Sequence, residues 1–449
     1  MKLGLLLGAA VAPLAIAGAV SAEEVVRAPA LSEVIVTGEP AMRNRTDAVV
    51  PTLSYDLDYF QRFEPLTAGD ALKRVPSVTF LSDVLESDGV RMRGLDSAYT
   101  QILINGERVP GANLDRSFFV DRIPAELIER VEVVRSSSAN RSGDAVAGAI
   151  NIVLRDALAL DGGYVRLGAL NWDDSEYGQW GGTYGAVWGG QVGPGRLLIG
   201  GNIQDRRNPK QKFSERFKEP NGELTDTEAQ SDVRDGTDYS ANLSYDMPLA
   251  GGELKLDGLF VRTDRVQDEN SIEYDEGDVD DIAKMSLTDN WAVNGRYRRD
   301  MLGGQTTFKL GYAAIDDAQD ELEEEIDIGD EVIEGTKVRS RIQDNEWQAA
   351  LEHKIQLSAA QLEFGLQYAR KDRDTSIHEA EAEVENETAL RLLADSDYGD
   401  FEAVAGGLST IEETRLDPYV MLSGENGALK WEAGLRYETT DVTITDETV

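Results

Sequence analysis

The stretch that decides the fold is residues 123–154, IPAELIERVEVVRSSSANRSGDAVAGAINIVL. Pro124 suits the first residue of a helix, because its missing N–H costs nothing there, and a short helix is predicted over residues 125–129. The valines of residues 131–134 predict a strand. A loop of small polar residues follows, and residues 147–154 predict a second strand. The stretch separates a compact region from a long region of alternating polar and apolar residues.

The composition excludes several classes of protein. The chain has 449 residues, a formal net charge of −39 and no cysteine. This charge would repel phosphates, which excludes a broad nucleic-acid role, and the lack of thiols excludes disulfides and cysteine-based sites. No Gly-x-Ser-x-Gly elbow, His-Glu-x-x-His pair or phosphate loop occurs. We therefore expect no enzyme, no cofactor and no metal site.

The beginning of the chain predicts a signal peptide over residues 1–22. An apolar run follows Lys2 and ends at the small-residue site Val20-Ser21-Ala22. A membrane-anchor helix is the alternative, and no other apolar run approaches the roughly 20 residues that a spanning helix needs. Residues 23–50 then predict a mobile periplasmic arm.

A short β-prone run within the arm has two interpretations. It consists of Glu33, Val34, Ile35, Val36 and Thr37. Such a run in a mobile arm can add itself to the sheet edge of another protein. It can equally be the first strand of the domain that follows, and the pattern alone does not choose between the two.

Residues 51–156 predict a small α+β domain. Thr67 can cap a helix over residues 68–75, which Pro76 ends. Strands are predicted at residues 90–93 and 101–104. Asn105-Gly106 is a strong signal for a tight turn, and Gly94 suits a sharp bend.

Five arginines stand out in this domain of an otherwise acidic chain. They are Arg91, Arg93, Arg108, Arg116 and Arg122. They can neutralise acids on the surrounding walls. Alternatively, some of them contact an anionic ligand.

From residue 160 to 449 the chain predicts an antiparallel transmembrane β-barrel. Tyr239, Leu243 and Tyr245 alternate with Ser240 and Ser244, and the same period of two recurs around residues 291–298, 307–312, 347–356, 363–368 and 429–438. An apolar face opposite an ionic face is typical of a barrel with lipid outside and water inside. A soluble all-β protein is the alternative.

The predicted connections alternate in length, as in outer-membrane barrels. Short turns are predicted at residues 190–195, 248–252, 300–304, 358–360 and 425–428. Long polar connections are predicted at residues 206–235, 266–287, 316–342 and 371–411. The acid-rich residues 275–281 and 320–325 are interpreted as solvated loops rather than calcium sites, because they lack the ligand spacing of a calcium loop. About eleven strands are predicted, an odd count with two open edges, so we expect a fragment, a truncated product or one half of a split barrel.

Several motifs resemble those of the TonB-dependent outer-membrane receptors. They are IERVEVVR at 128–135, AGAINIV at 147–153, RMRGL at 91–95, YTQILING at 99–106, and DAL with VPSV at 70–78. The resemblance covers residues 33–155 in order. The corresponding plug-motif residues are Arg93, Gly94, Asn105, Gly106, Glu129, Arg130, Glu132, Arg135, Gly148 and Asn151. Many family members have Arg-Gly-Pro where this chain has Arg135-Ser136-Ser137.

The resemblance implies an α+β plug domain followed by a barrel, with about 11 of the family's 22 strands present. It implies that residues 33–37 are a TonB box and that TonB, outer-membrane lipid and an external nutrient are the partners. It implies an outer-membrane location with plug and arm facing the periplasm, and active import of a scarce, bulky solute. A ferric siderophore is favoured, and carbohydrate, cobalamin and peptide are alternatives. Arg108 and Arg116 are candidate ligand-binding residues.

Two other functions remain open at this point. A passive pore or binding barrel would need no plug domain and would have no use for residues 33–37. A non-transporting remnant would follow if half of the barrel were missing.

Overall fold

The computed structural model describes residues 43–45, 49, 52–56, 59–60, 62–80, 90–109, 120, 123–135, 138–173, 178–218, 222–274, 278–327, 331–385 and 393–448. The predicted signal peptide, the run at residues 33–37 and two of the arginines, Arg116 and Arg122, lie outside these residues. No helix in the described ranges is long and apolar enough to cross a membrane.

The N-terminal strands form a domain with a mixed sheet. Its strands are β1 (Arg43–Arg45), β2 (Thr52–Asp56), β3 (Val78–Thr79), β4 (Arg91–Met92), β5 (Thr100–Ile104), β6 (Glu107–Arg108), β7 (Ile128–Val134) and β8 (Gly148–Leu154). Six of them form one sheet in the order β1-β2-β7-β8-β5-β6, and β3 pairs with β4. Within the six-stranded sheet only β5 and β8 run parallel. We call this domain the plug domain.

Helix α1 (Ala68–Leu72) is capped as predicted. The Thr67 hydroxyl accepts a hydrogen bond from the Asp70 N–H at 3.2 Å, and the Asp70 carboxylate accepts one from the Leu66 N–H at 3.3 Å. The first bond satisfies an N–H group that a helix start leaves open, and the second ties the residue before the cap to the first turn. The helix buries Ala68, Ala71 and Leu72 against the plug core.

The predicted helix at residues 125–129 is shorter than expected. It is a 3₁₀ helix over Ala125–Leu127, and Pro124 is its cap rather than its first residue, with φ −60° and ψ 135°. The chain leaves the helix early because β7 begins at Ile128. Ile128, Val131 and Val133 are buried in the plug core, so strand packing decides this boundary.

Twelve antiparallel strands form the second sheet, which we call the barrel sheet. They are β9 (Gly162–Trp172), β10 (Gln179–Val192), β11 (Gly195–Lys218), β12 (Glu223–Leu249), β13 (Gly252–Glu273), β14 (Val279–Met301), β15 (Gly304–Asp327), β16 (Val332–Gln356), β17 (Ala360–Glu385), β18 (Glu402–Asn426), β19 (Leu429–Arg436) and β20 (Thr439–Asp446). Each strand pairs with the next, except that β19 and β20 both pair with β18. The predicted α+β plug and antiparallel barrel are confirmed, with one strand more than the predicted count.

The two faces of the barrel sheet differ as predicted. In β12, Ser240, Asn242 and Ser244 are buried, whereas Tyr239 and Leu243 are 39% and 41% exposed. The polar face therefore points toward the plug domain and the apolar face points outward. Aromatic side chains meet on the outer face, for example Phe260 and Trp291 with ring centroids 4.2 Å apart.

The short turns are confirmed, but the four long connections are wrong. For example, β11 continues to Lys218 and β12 starts at Glu223, within the predicted connection at residues 206–235. Most residues on both faces of these extensions are polar, apart from a small buried cluster of Ile333, Ala382 and Leu393, so the alternation that marks the rest of each strand weakens. Main-chain ladders and cross-strand ion pairs hold them instead, such as Arg341 with Asp316 at 2.7 Å.

Candidate functional site

The plug domain is joined to the barrel sheet by an ion-pair cluster around Asp144. This aspartate lies in the loop between β7 and β8. Its carboxylate is 3.1 Å from the guanidinium of Arg108 on β6 and also accepts a hydrogen bond from Arg415 on β18. Burial raises the pKa of Asp144, but the two arginines outweigh burial and the net pKa is lowered. One carboxylate therefore holds a plug arginine and a wall arginine together.

The rest of the same loop follows the wall by polar contacts. Ser138 donates a hydrogen bond to Glu432 at 2.6 Å, and Asn140 donates one to Glu363 at 3.2 Å. The Gly143 N–H donates to Glu438 at 2.9 Å. We call residues 138–146 the latch loop, because these contacts tie it to β17, β19 and the segment after β19.

A second attachment lies at the first barrel strands. Glu126 of the 3₁₀ helix is only 9% exposed and accepts hydrogen bonds from Arg166 at 3.0 Å and Asn202 at 2.9 Å. Gly185 on β10 leaves room for this carboxylate, since a Cβ there would lie 2.1 Å from a Glu126 oxygen. A buried carboxylate is tolerated only with such partners.

The segment between β8 and β9 adds further direct contacts. Asp156 pairs with Lys255 at 2.9 Å, and Arg155 donates to the Tyr164 hydroxyl at 3.0 Å. Burial raises the pKa of Asp156, but the hydrogen bond and charge of Lys255 lower it overall. On this side the plug domain is held by ion pairs and hydrogen bonds, although Arg155 Nε and Asn202 Oδ1 are buried without a hydrogen-bond partner in the described residues.

A cavity of about 270 Å³ lies between the plug domain and strands β15 to β18. Arg108, Arg141 and Arg415 line it together with Glu346 and Asp417. Four polar side-chain atoms facing this region are buried without a hydrogen-bond partner in the described residues: Asn140 Oδ1, Arg141 Nη1, Arg415 Nε and Asp417 Oδ1. Such groups need a partner from water or a solute.

One apolar patch also joins the two parts. Leu259, Val261, Ala292 and Ala313 on the inner face of β13 to β15 belong to the same buried cluster as the plug core. The interface is therefore mainly polar, with a small apolar contact.

Most plug-motif residues lie inside the plug domain. Asn105 and Gly106 have φ of 53° and 86°, as a tight turn with two left-handed residues requires. Asn151 fixes this turn, because its side-chain oxygen accepts from the Gly106 N–H at 2.8 Å. Its amide donates to Glu132, at 2.8 Å.

The charged motif residues pair locally. Arg130 contacts Glu129 at 2.7 Å and Glu132 at 2.8 Å. Arg135 donates to the Ser77 hydroxyl at 2.9 Å, and Arg93 donates to the Arg135 carbonyl. Arg93 and Gly94 both have positive φ, which makes the bend expected there. Gly148 starts β8 with φ 127°.

Of the two candidate ligand-binding residues, Arg108 lines the cavity and pairs with Asp144. Its position is compatible with both predicted roles, neutralising an acid and contacting an anionic ligand. The sequence reasoning missed Asp144, Glu126 and Arg141. Asp144 and Glu126 have partners on the barrel wall, far away along the chain, and no local motif marks any of the three residues.

Acid should weaken the latch loop through Asp144. A carboxyl with a lowered pKa stabilises the fold above its unfolded pKa of about 3.9 and loses that contribution as the pH falls through its folded pKa. Asp144 is half exposed, so we expect a loss of about 1 kcal/mol or less. Pepsin cleavage within residues 138–146 should therefore rise by up to about five-fold on acidification. In Asp144→Asn the cleavage should already be fast and should not gain this additional five-fold increase on acidification. Equal pH profiles of cleavage in the variant and the unchanged protein would contradict the role of Asp144.

Comparison with known proteins agrees with this architecture. The family model of the TonB-dependent receptor plug domain matches residues 45–149. The vitamin B12 transporter BtuB of Vibrio vulnificus (strain CMCP6) is 30% identical over 143 residues, which span 30% of this chain and only 23% of that protein.

Two solved structures also match the chain, at low sequence identity. Unliganded ferric citrate transporter FecA is 14% identical, with 86% of this chain and 69% of that chain covered and a TM-score of 0.43. BauA, the ferric preacinetobactin receptor from Acinetobacter baumannii, is 11% identical, with 89% and 76% covered and a TM-score of 0.41.

The plug match falls on the domain that the barrel sheet holds through Asp144 and Glu126. The motif residues of 128–154 form the two central strands of that domain. Over residues 45–149 the chain therefore matches the plug domain of the TonB-dependent receptors, and the barrel sheet follows this domain along the chain.

Proposed function

We propose that this chain imports a scarce, bulky solute across the outer membrane by a TonB-dependent mechanism. The observation that carries the proposal is the mainly polar interface between plug domain and barrel sheet. Polar contacts can be exchanged for water at small net cost, whereas a large apolar interface would fix the plug in place. A plug held in this way can rearrange without unfolding the barrel.

The proposed sequence of events begins with solute binding on the outer side of the plug. Binding shifts the plug domain toward a state in which residues 33–37 reach TonB in the periplasm. TonB then adds this run to a sheet edge, with Val34 and Val36 on one face and Ile35 on the other. Solute and TonB must favour the same plug state for the two events to be coupled.

A ferric siderophore is our first candidate for the solute, on family grounds. Cobalamin is the second, because the matched BtuB relative is named a vitamin B12 transporter. Carbohydrates and peptides complete the range. A passive pore is disfavoured, since a folded plug domain occupies the inner face of the barrel sheet.

Ile35→Pro should abolish energised uptake and leave solute binding intact. Proline lacks the N–H that strand pairing uses, and its ring restricts the backbone. Uptake of a labelled ferric siderophore should fall to the level of cells without TonB, while binding to de-energised cells stays unchanged. Ala30→Pro, in the same arm but outside the run, is the matched control and should transport normally. Normal uptake by Ile35→Pro would refute the TonB-box assignment.

A further inference from the structure

A row of four carboxylates crosses the barrel sheet near the end of β14 that lies away from its short turn. Asp280 on β14 faces Glu325 on β15, which faces Glu334 on β16, which in turn faces Glu383 on β17. We call these four residues the acidic row. Trp291 of β14 points outward and is 50% exposed, so the period of two places Asp280 and the whole row on the inner face.

The acidic row has no counter-charge of its own. Burial raises the pKa of Glu325, and the carboxylates of Asp280, Glu334, Asp278 and Glu323 raise it further. In the described part of the chain, no lysine or arginine forms an ion pair with a member of the row. Like charges that face each other directly on neighbouring strands destabilise a sheet. A cation from outside the chain would offset this repulsion.

Beside the acidic row, three carboxylates share one guanidinium. Arg216 Nη1 is 3.1 Å from Asp226 and 2.7 Å from Glu273, and Arg216 Nη2 is 3.3 Å from Glu228. Burial raises the pKa of Asp280, and Glu273 is the first of the charges that raise it further. The Arg216 group and the acidic row therefore form one acidic surface, which extends from β12 to β17.

Asp226 has acceptor atoms that the fold leaves open. Its side chain is only 4% exposed, and neither of its carboxylate oxygens has a hydrogen-bond donor in the described residues, although Arg216 lies within ion-pair distance of Oδ2. Buried polar atoms are nearly always hydrogen-bonded. Carboxylates form their strongest hydrogen bonds with charged donors. Asp226 thus has a free position for a cationic N–H donor at one end of the acidic surface.

The arrangement suits an extended organic cation better than a metal ion. Among the residues that the structure describes, no three carboxylate or histidine side chains converge as a metal site requires. The acceptors instead follow one another across the strands at intervals of about 5 Å. An ammonium group carries three donors. A chain with several ammonium groups can therefore contact successive carboxylates along the surface.

We propose that the Arg216 group and the acidic row bind a solute with two or more ammonium groups, aligned across the inner face from β12 to β17. The surface repels carboxylates and phosphates, so it favours amine-bearing solutes over purely anionic ones. This names a class of solute for the proposed function. The link to import rests on that function, whereas the binding itself does not.

The test is binding of spermidine, a triamine, to the purified full chain in detergent without TonB. Calorimetry in about 0.1 M salt screens charges further away than about 10 Å. The double variant Glu325→Gln/Glu334→Gln should weaken binding about ten-fold or more, because charged hydrogen bonds are among the strongest. Asp316→Asn/Asp320→Asn is the matched control. It removes two carboxylates from the outer face of β15, where they are 38% and 63% exposed, and should bind spermidine as the unchanged protein does.

The urea midpoint separates a binding surface from a structural one. Removal of two repelling charges should leave the midpoint of Glu325→Gln/Glu334→Gln equal or higher, so that weaker binding does not reflect misfolding. A lower midpoint would show that the row already has partners and would contradict the proposal. Butylamine, with one ammonium group, should bind at least ten-fold more weakly than spermidine. No spermidine binding, equal binding by the double variant, equal binding of butylamine, or tighter binding of calcium would each overturn the proposal. Because the assay involves no uptake, its result is independent of the Ile35→Pro experiment.

Discussion

Gly148→Ala should destabilise the plug domain by about 4 kcal/mol, from roughly 1–3 kcal/mol of backbone strain and roughly 1–3 kcal/mol of overpacking. Gly148 has φ 127°, and a Cβ there would lie 2.5 Å from the Val134 carbonyl oxygen and 3.0 Å from Met92. The Val134 oxygen belongs to the main chain of the neighbouring strand β7. It cannot move aside without breaking hydrogen bonds between β7 and β8. The urea midpoint of plug unfolding, read by protease cleavage within the plug, should fall sharply.

Gly106→Ala is the matched control for this prediction. Gly106 also has a positive φ, but nothing lies within 4 Å of its Cβ position. Gly106→Ala should lower the stability of the plug domain by only about 1–2 kcal/mol, the cost of a left-handed conformation for alanine. Equal destabilisation by both variants would show that the contact with Val134 contributes nothing.

Gly185→Ala should detach Glu126 from the barrel wall. The new Cβ would lie 2.1 Å from the carboxylate oxygen that accepts from Asn202. A glutamate side chain can swing away, but then Asn202 and Arg166 lose their buried partner. We expect a loss of about 2 kcal/mol, the range for hydrogen bonds to a charged group. Arg166 is partly exposed, so solvent limits its share.

A double-mutant cycle tests whether the two residues act through one contact. Glu126→Ala should cost about as much as Gly185→Ala, and the two together should cost little more than either, because the contact can be lost only once. Measurements of the urea midpoint on the four proteins give the coupling. Additive losses would mean that Gly185 has a role apart from Glu126.

The plug fold could largely be predicted from local patterns. The valine-rich run at 131–134 and the small-residue run at 148–154 pair as β7 and β8, and Asn105-Gly106 turns as its residue types require. The helix predicted over residues 125–129 is instead a 3₁₀ helix at Ala125–Leu127, because burial of Ile128 as a strand residue overrides local propensity.

The upper parts of the barrel strands could not be predicted in the same way. Their alternation fails because polar residues occupy most positions on both faces, so main-chain ladders and cross-strand ion pairs replace burial as the stabilising contribution. Lys284 and Glu321 illustrate this, since they face each other across β14 and β15 at 2.8 Å although both lie within predicted long connections.

The site was still less predictable. Asp144 lies among small loop residues, and its wall partner Arg415 is 271 residues further along the chain. Arg141 belongs to no motif, and only the three-dimensional arrangement shows that its Nη1 is buried without a hydrogen bond in the described residues. Glu126 is one acid among 83 aspartates and glutamates, and only the space at Gly185 distinguishes it.

The strand order of the plug sheet has a mechanical consequence. Tension applied to the chain ahead of β1 enters the sheet at its edge, because the order begins β1-β2-β7. The short ladder of Arg43–Arg45 ruptures first, and the five-residue strand β2 peels from β7 next. Tension then passes to the segments between β2 and β7 before it reaches the longer β7 and β8. The pair nearest the latch loop is thus shielded from a load at the N-terminus, and a short pull removes the outer strands while the centre of the sheet stays folded.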